Sequence, residues 1–372
     1  MMEDFSERRN KVRRVVEKQK LDALLITNPL NLRYLTGFTG GSGSLLIRSG
    51  GDTILSDPRF TIQIEEECPD LDTIIRPRSA STSKTLAKLL GKTGKLGIEA
   101  ESVTIAQQER LFQYLSHWES VPTKRVVEEL RQIKDRYELA RIRQAVDVAD
   151  RAFQYVRSQL KPSMSEVDIC NMLEHEMRLL GAEDRSFPSI IGAGARAALP
   201  HATPGGQTLS GQSHLLFDWG AVVDGYMSDL TRVLILTPQR KSTPGTSTQG
   251  KKLRTVYETV LTAQEAAIAA IKPGQTCEEI DKVARNIITK AGFGKHFGHG
   301  LGHAIGLQVH ENPRLAPGDQ TVLKAGMILT VEPGIYLKDW GGVRIEDNVL
   351  ITKTGCEVLS RNVPKSFDAM CV

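Results

Sequence analysis

The chain repeats itself at long range, and the repeat limits what it can fold into. Leu160-Lys161-Pro162-Ser163-Met164-Ser165-Glu166 is echoed by Ile271-Lys272-Pro273-Gly274-Gln275-Thr276-Cys277-Glu278, with the two prolines 111 positions apart. The same offset carries Ile169 onto Ile280 and Gly181 onto Gly292. In each copy the pattern predicts a helix ending at Lys-Pro, then a second helix capped by Ser165 or Thr276 and stopping near the glycine. Each copy then runs into a pair of acid-bearing strands: Asp218 with Asp229, and Glu332 with Glu346. A duplicated unit whose halves face one another would bring these four carboxylates together.

The local strings fit that picture. Leu215 to Val222 reads as a strand, Asp224-Gly225 as a hairpin turn, and Tyr226 to Leu236 as the returning strand. Asp218 and Asp229 thus lie on opposite arms. In the second copy Met327 to Val331 is a buried strand ending at Glu332-Pro333-Gly334, and Gly341-Gly342 precedes a strand from Val343 to Ile351 that carries Glu346. His303 closes His299-Gly300-Leu301-Gly302-His303, where glycines let the backbone approach a site closely.

Burying bare carboxylates is costly enough that four of them around one imidazole imply cations. This donor set has no thiolate, and it favours Mn²⁺, or Co²⁺ and Zn²⁺ at higher affinity, over a structural zinc site. Four acids exceed the need of one cation, whereas two cations sharing bridging acids use them all. A pair roughly 3.5–4 Å apart can hold a bridging hydroxide and polarise a carbonyl, the template of metal-assisted hydrolysis. Taken singly, each feature has a plainer reading. Asp229 near Arg232 and Glu346 near Arg344 could be ion pairs, the histidines a packed cluster, and Glu332-Pro333-Gly334 a turn. Their joint occurrence, in this order, decides for metal.

Residues 1 to about 125 read as a small α/β domain, with buried strands at Leu21–Ile26, Ser44–Ile47 and Leu96–Ile98. Thr39 to Ser44 is Gly-rich but lacks the ending of a P-loop, so it reads as a tight strand-to-strand turn. The basic Arg8-Arg9 and Lys11 to Arg14, interrupted by acids, read as the solvated face of a first helix. A linker is expected around 125–135, then a long helix through Phe153, and a mobile surface loop over 240–252. A net charge of +4 on 372 residues, without a Lys/Arg block, disfavours nucleic acid as a partner. No apolar stretch approaches the roughly 20 residues of a membrane span. Five scattered cysteines without a CxxC pair, and no signal-peptide pattern, point to a reducing cytoplasm.

Together these strings resemble the pita-bread metallopeptidase family, which includes methionine aminopeptidases, Xaa-Pro aminopeptidases and Xaa-Pro dipeptidases (prolidases). Asn31-Leu32-Arg33-Tyr34-Leu35-Thr36-Gly37-Phe38 and Ser56-Asp57-Pro58-Arg59-Phe60 are similar to the creatinase-like N-terminal domain of the Xaa-Pro branch, and Leu130-Arg131-Gln132-Ile133-Lys134 to its junction segment. The resemblance implies an α+β architecture. Residues 136–372 would form a pita-bread catalytic domain with an internal pseudo-twofold duplication, and residues 1–128 a smaller α/β, ribonuclease H-like creatinase domain.

The resemblance also implies roles. Asp229 and Glu346 would bridge two divalent ions, Asp218 completing one shell, His303 and Glu332 the other, with Glu332 also a proton shuttle. His201 would lie near the scissile bond, His310 would contact the substrate carbonyl, and His299 would line the proline pocket. Tyr336 and Arg344 would support metal and substrate. Arg314 reads equally well as a clamp on a dipeptide carboxylate or as a solvent-facing charge. His214 and His296 match no functional position. Trp219 and Ala202 depart from the common pattern without removing a ligand. The implied activity is Xaa-Pro cleavage of proline-containing peptides or dipeptides by a cytoplasmic homodimer. A methionine-aminopeptidase-like exopeptidase, or a non-catalytic peptide-binding module on the same fold, is the alternative.

Overall fold

The computed structural model describes residues 5–236 and 248–372. Its contacts divide the chain into two compact units, Met1–Arg131 and Gln132–Val372. No helix among the described residues is long and apolar enough to cross a membrane.

In the first unit, strands β1 (Ala23–Ile26), β2 (Ser44–Arg48), β3 (Gly51–Ser56), β4 (Asp72–Ile75), β5 (Gly94–Glu99) and β6 (Trp118–Thr123) form one mixed sheet, ordered β4-β3-β2-β1-β5-β6. Every residue of β1 is buried, as its unbroken apolar run requires of a strand covered on both faces. The helices are α1 (Phe5–Lys18), α2 (Pro29–Thr36), α3 (Thr61–Glu67), α4 (Thr82–Leu90), α5 (Ile105–Phe112) and α6 (Val126–Arg131).

Three expectations need correction. Arg8 and Arg9 are buried rather than solvated. Arg8 stacks on the Tyr34 ring, and Arg9 donates to Asp52 and to the Leu35 carbonyl, so the long stems pack while the guanidinium groups find partners. The Gly-rich segment joins helix α2 to strand β2, not two strands. The expected linker contains α6, and α7 (Arg136–Gln159), capped by Asp135, runs beyond Phe153.

The second unit shows the duplication in three dimensions. Helices α8 (Glu166–Leu179) and α10 (Cys277–Lys290) are each 14 residues long, and each opens with a capping box, on Ser165 and Asp168 or on Thr276 and Glu279. Each follows a long helix, α7 or α9 (Thr248–Ala270). Of the expected 240–252 loop, residues 240–247 lie outside the described residues, and the remainder opens α9.

After β7 (Asp184–Arg185), the first copy builds β8 (Ile190–Ala193), β9 (His214–Trp219), β10 (Ala221–Val223), β11 (Tyr226–Met227) and β12 (Leu230–Ile235). The second builds β13 (Gly302–Ala304), β14 (Glu311–Leu315), β15 (Ile328–Val331), β16 (Gly334–Leu337), β17 (Gly341–Arg344), β18 (Asp347–Ile351) and β19 (Cys356–Val358). The sheet β12-β9-β8 matches the β18-β15-β13 core of the sheet β14-β13-β15-β18-β19. The Asp224-Gly225 turn joins β10 to β11, both residues having positive φ as such a hairpin demands. Three runs expected as single strands are broken: 215–222 at Gly220, its two pieces joining different sheets, 226–236 at Ser228-Asp229, and 343–351 at Ile345-Glu346.

Candidate metal centre

Those breaks place the acids. Asp218 points from β9, while Asp229 sits between β11 and β12. Glu332 follows β15, and Glu346 lies between β17 and β18, its N–H donating to the Thr231 carbonyl at 3.1 Å. An acid in a break is free of the regular alternation of a strand. His303 lies in β13 beside a register shift, and at Gly302 any Cβ would meet the Thr330 carbonyl oxygen at 2.1 Å. Only glycine lets β13 come this close to β15.

The side chains converge. Oxygen or nitrogen atoms of Asp229, His303 and Glu346 all lie within 4.8 Å of one another. His303 Nε2 is 3.7 Å from Asp229 Oδ2 and 3.3 Å from Glu332 Oε1. Asp218 joins them through Arg344, which ion-pairs with its Oδ2. All five line one cavity of about 730 Å³, together with His201, His299, His310, Arg314, Tyr336 and Arg344. Every residue expected at the site is therefore present there; His214 and His296 are not among the lining residues.

The simple ion-pair readings fail. Arg232 pairs with Asp347 at 2.7 Å, not with Asp229, and Arg344 pairs with Asp218, not with Glu346. Burial, then the Glu346, Asp218 and Glu332 carboxylates, pushes Asp229 well above the ordinary range. Burial, then Glu332 and Asp218, does the same to Glu346. Asp218 is raised chiefly by burial, against the pull of Arg344. Glu332 goes the other way: burial opposes ionisation, but its hydrogen bond with His303 holds it down. Such divergence among four acids in one cavity is the pattern of a functional site.

The aromatic and cationic walls are ordered. Tyr336 Oη meets His299 Nε2 at 2.9 Å and accepts from Arg344 Nη1 at 2.7 Å. His310 packs edge-on against His303, ring centroids 4.4 Å apart. His201 and Arg314 are exposed at the cavity wall.

Two supports escaped sequence reasoning. Thr231 donates to Glu346 Oε2 at 2.7 Å and accepts from Arg344 Nε at 3.1 Å. Asn348 holds the Asp229 backbone, donating to its carbonyl and accepting its N–H. Each lies two residues after one acid and serves the acid of the other copy. The two positions correspond between the copies, but no local string around either one marks the contact.

Comparison with known proteins agrees with this geometry. Residues 140–353 match the metallopeptidase family M24, and residues 8–133 match the creatinase/prolidase N-terminal domain. The chain belongs to metallopeptidase family M24. It is a metallo-exopeptidase. Among relatives, the uncharacterized peptidase YqhT of Bacillus subtilis is 35% identical, covering 96% of this chain and 98% of its own length. Among solved structures, the Xaa-Pro dipeptidase of Bacillus anthracis is 34% identical with a TM-score of 0.91, covering 99% of this chain and 100% of that one. The Pyrococcus horikoshii OT3 prolidase gives 32% and 0.88, covering 97% and 99%. The Thermotoga maritima X-Pro aminopeptidase gives 32% and 0.85, covering 95% and 99%.

M24 membership implies divalent metal, and the residues of this chain fit one. Asp218 Oδ1 and Glu346 Oε1 are buried without a hydrogen-bond partner. Orphaned carboxylate oxygens facing an imidazole and two more acids are what a cation would satisfy.

Proposed function

We propose that this enzyme hydrolyses the Xaa-Pro peptide bond at the N-terminus of peptides or in dipeptides, using two divalent ions, Mn²⁺ by preference. Asp218, Asp229, His303, Glu332 and Glu346 would hold the ions. The observation that carries the reading is the convergence of these five side chains, with two carboxylate oxygens left orphaned. The bound ions would polarise the scissile carbonyl and make a water nucleophilic at neutral pH.

The protein's own groups do the rest. His201 and His310 would donate hydrogen bonds to the carbonyl oxygen as charge develops there. Glu332 would carry a proton toward the leaving nitrogen. His299, fixed by Tyr336, would border the proline ring. Arg344 holds Tyr336 and Asp218 in register. Arg314, exposed on β14 at the cavity wall, would clamp a dipeptide carboxylate. The homologous Xaa-Pro dipeptidase and prolidase structures support the substrate class.

The test is to strip the protein with a chelator, restore it with Mn²⁺, Co²⁺ or Zn²⁺, and assay a panel of Xaa-Pro and Xaa-Pro-Xaa peptides. Activity should vanish and return, and Glu332→Ala or His303→Ala should abolish it without unfolding the protein. Full turnover in either variant would defeat the assignment. Arg314→Ala should remove dipeptide cleavage alone; equal loss on tripeptides would rule out the clamp.

A further inference from the structure

The two copies differ at the first residue of their matching helices: α8 opens with Glu166, α10 with Cys277. Both helices otherwise receive the same treatment. The first-turn amides of α8 donate to the Gln207 and Gly205 carbonyls, those of α10 to Thr321 and Asp319. A carboxylate at Glu166 is therefore not needed to cap the helix, and yet it is fully buried.

Its partners explain it. Glu166 accepts from the backbone N–H of Ala193 and of Gly205, both at 2.9 Å, and from Arg196 Nε at 2.9 and 2.8 Å. Arg196 in turn donates through Nη2 to the Thr203 carbonyl. These bonds close the segment 193–205 into a loop gripped at both ends and at its middle. Pro200, His201, Ala202, Thr203 and Pro204, which line the cavity, all lie within it. From the opposite copy, Arg344 Nη2 reaches the Pro200 carbonyl at 3.4 Å.

We propose that the ion pair between buried Glu166 and half-buried Arg196 is a clasp that positions the Pro200–Thr203 cavity wall, and with it His201, for peptide hydrolysis. The inference rests on the peptidase reading above and adds two positioning residues to it. Neither side chain lines the cavity. They act through the loop.

Deleting Arg196 outright would leave the buried Glu166 carboxylate without its counter-charge, so the isosteric Glu166→Gln is the first variant and Arg196→Lys, which keeps charge but not the fork, the second. Both should lower kcat on an Xaa-Pro peptide by on the order of 10–100-fold, as expected for slight misplacement of a reacting group. Mn²⁺ affinity, measured by titration calorimetry on the metal-stripped protein, should stay at the wild-type value. In a His201→Ala background, Glu166→Gln should cost little more, because the clasp acts through that histidine. Wild-type kcat in a folded Glu166→Gln protein, a parallel loss of Mn²⁺ binding, or full additivity with His201→Ala would each overturn the proposal. Amide exchange separates it from the choice of substrate: residues 193–205 should exchange faster in Glu166→Gln while β9 and β12 stay protected, whatever peptide is cleaved. Unchanged exchange in that loop would refute the clasp itself.

Discussion

Glu346 and Asp347 are neighbours in the chain, both buried, and the surroundings of their carboxylates are opposites. Asp347 accepts from Arg232 and Ser360 on one oxygen, each at 2.7 Å, and from Gln264 and Lys365 on the other, at 2.8 and 2.9 Å. Despite burial, Arg232 and then Lys365 hold it well below the ordinary carboxylate range. Glu346 has one bond from Thr231, an orphaned second oxygen, and a proton affinity driven far up. The same residue chemistry is thus used as structure on one side of the sheet and held ready for cations on the other. A buried acid becomes a candidate ligand when its environment withholds the partners that its neighbour receives.

The two acids should therefore answer substitution with opposite signs. Glu346→Gln should cut peptide turnover at least about a thousandfold, roughly 4 kcal/mol of transition-state stabilisation. The metal-free protein should become no less stable in urea, because a repelled buried charge has gone. Asp347→Asn should instead destabilise the metal-free protein by about 3–5 kcal/mol, since it strands the fully buried Arg232. Equal destabilisation by both changes would erase the distinction.

His214 represents a third way to bury an ionisable group: neutral. Burial pushes its imidazole from 6.5 down to about 4. As pH falls below 6.5 the unfolded chain takes up a proton that the folded one refuses, so stability is lost until the folded histidine also protonates near pH 4. Over that window the single group should cost about 3 kcal/mol. His214→Gln should flatten the corresponding part of a stability-versus-pH curve. An unchanged slope would show that other groups dominate acid sensitivity.

Much of this was legible in the sequence, and the reasons differ by level. The repeated Lys-Pro, cap and glycine signals specify local conformation, and both helices obey them. The convergence of Asp218, Asp229, His303, Glu332 and Glu346 on one cavity was readable because both copies of the repeat lead into acid-bearing strands. The strand breaks at Asp229 and Glu346 were not, since an apolar run looks continuous whether or not a bulge interrupts its pairing. Arg8 and Arg9 misled because a run of cations looks solvated until carbonyls such as that of Leu35 are folded over it. The crossed supports are tertiary facts. Nothing adjacent to Thr231 announces that its hydroxyl will meet an acid 115 positions away.

That hydroxyl offers the finest test of the contrast between the two neighbouring acids. Thr231 supplies the single hydrogen bond to Glu346 Oε2 while accepting from Arg344, so it fixes one carboxylate rotamer and links it to the guanidinium that holds Asp218. Thr231→Val keeps the shape and the strand preference but deletes the link. Groups that orient metal ligands typically matter by about 10–100-fold in affinity, so Mn²⁺ binding by calorimetry should weaken by that factor while urea stability moves little. Were Glu346 merely a structural acid like Asp347, the result would invert: losing its one donor would destabilise the fold and leave metal affinity untouched.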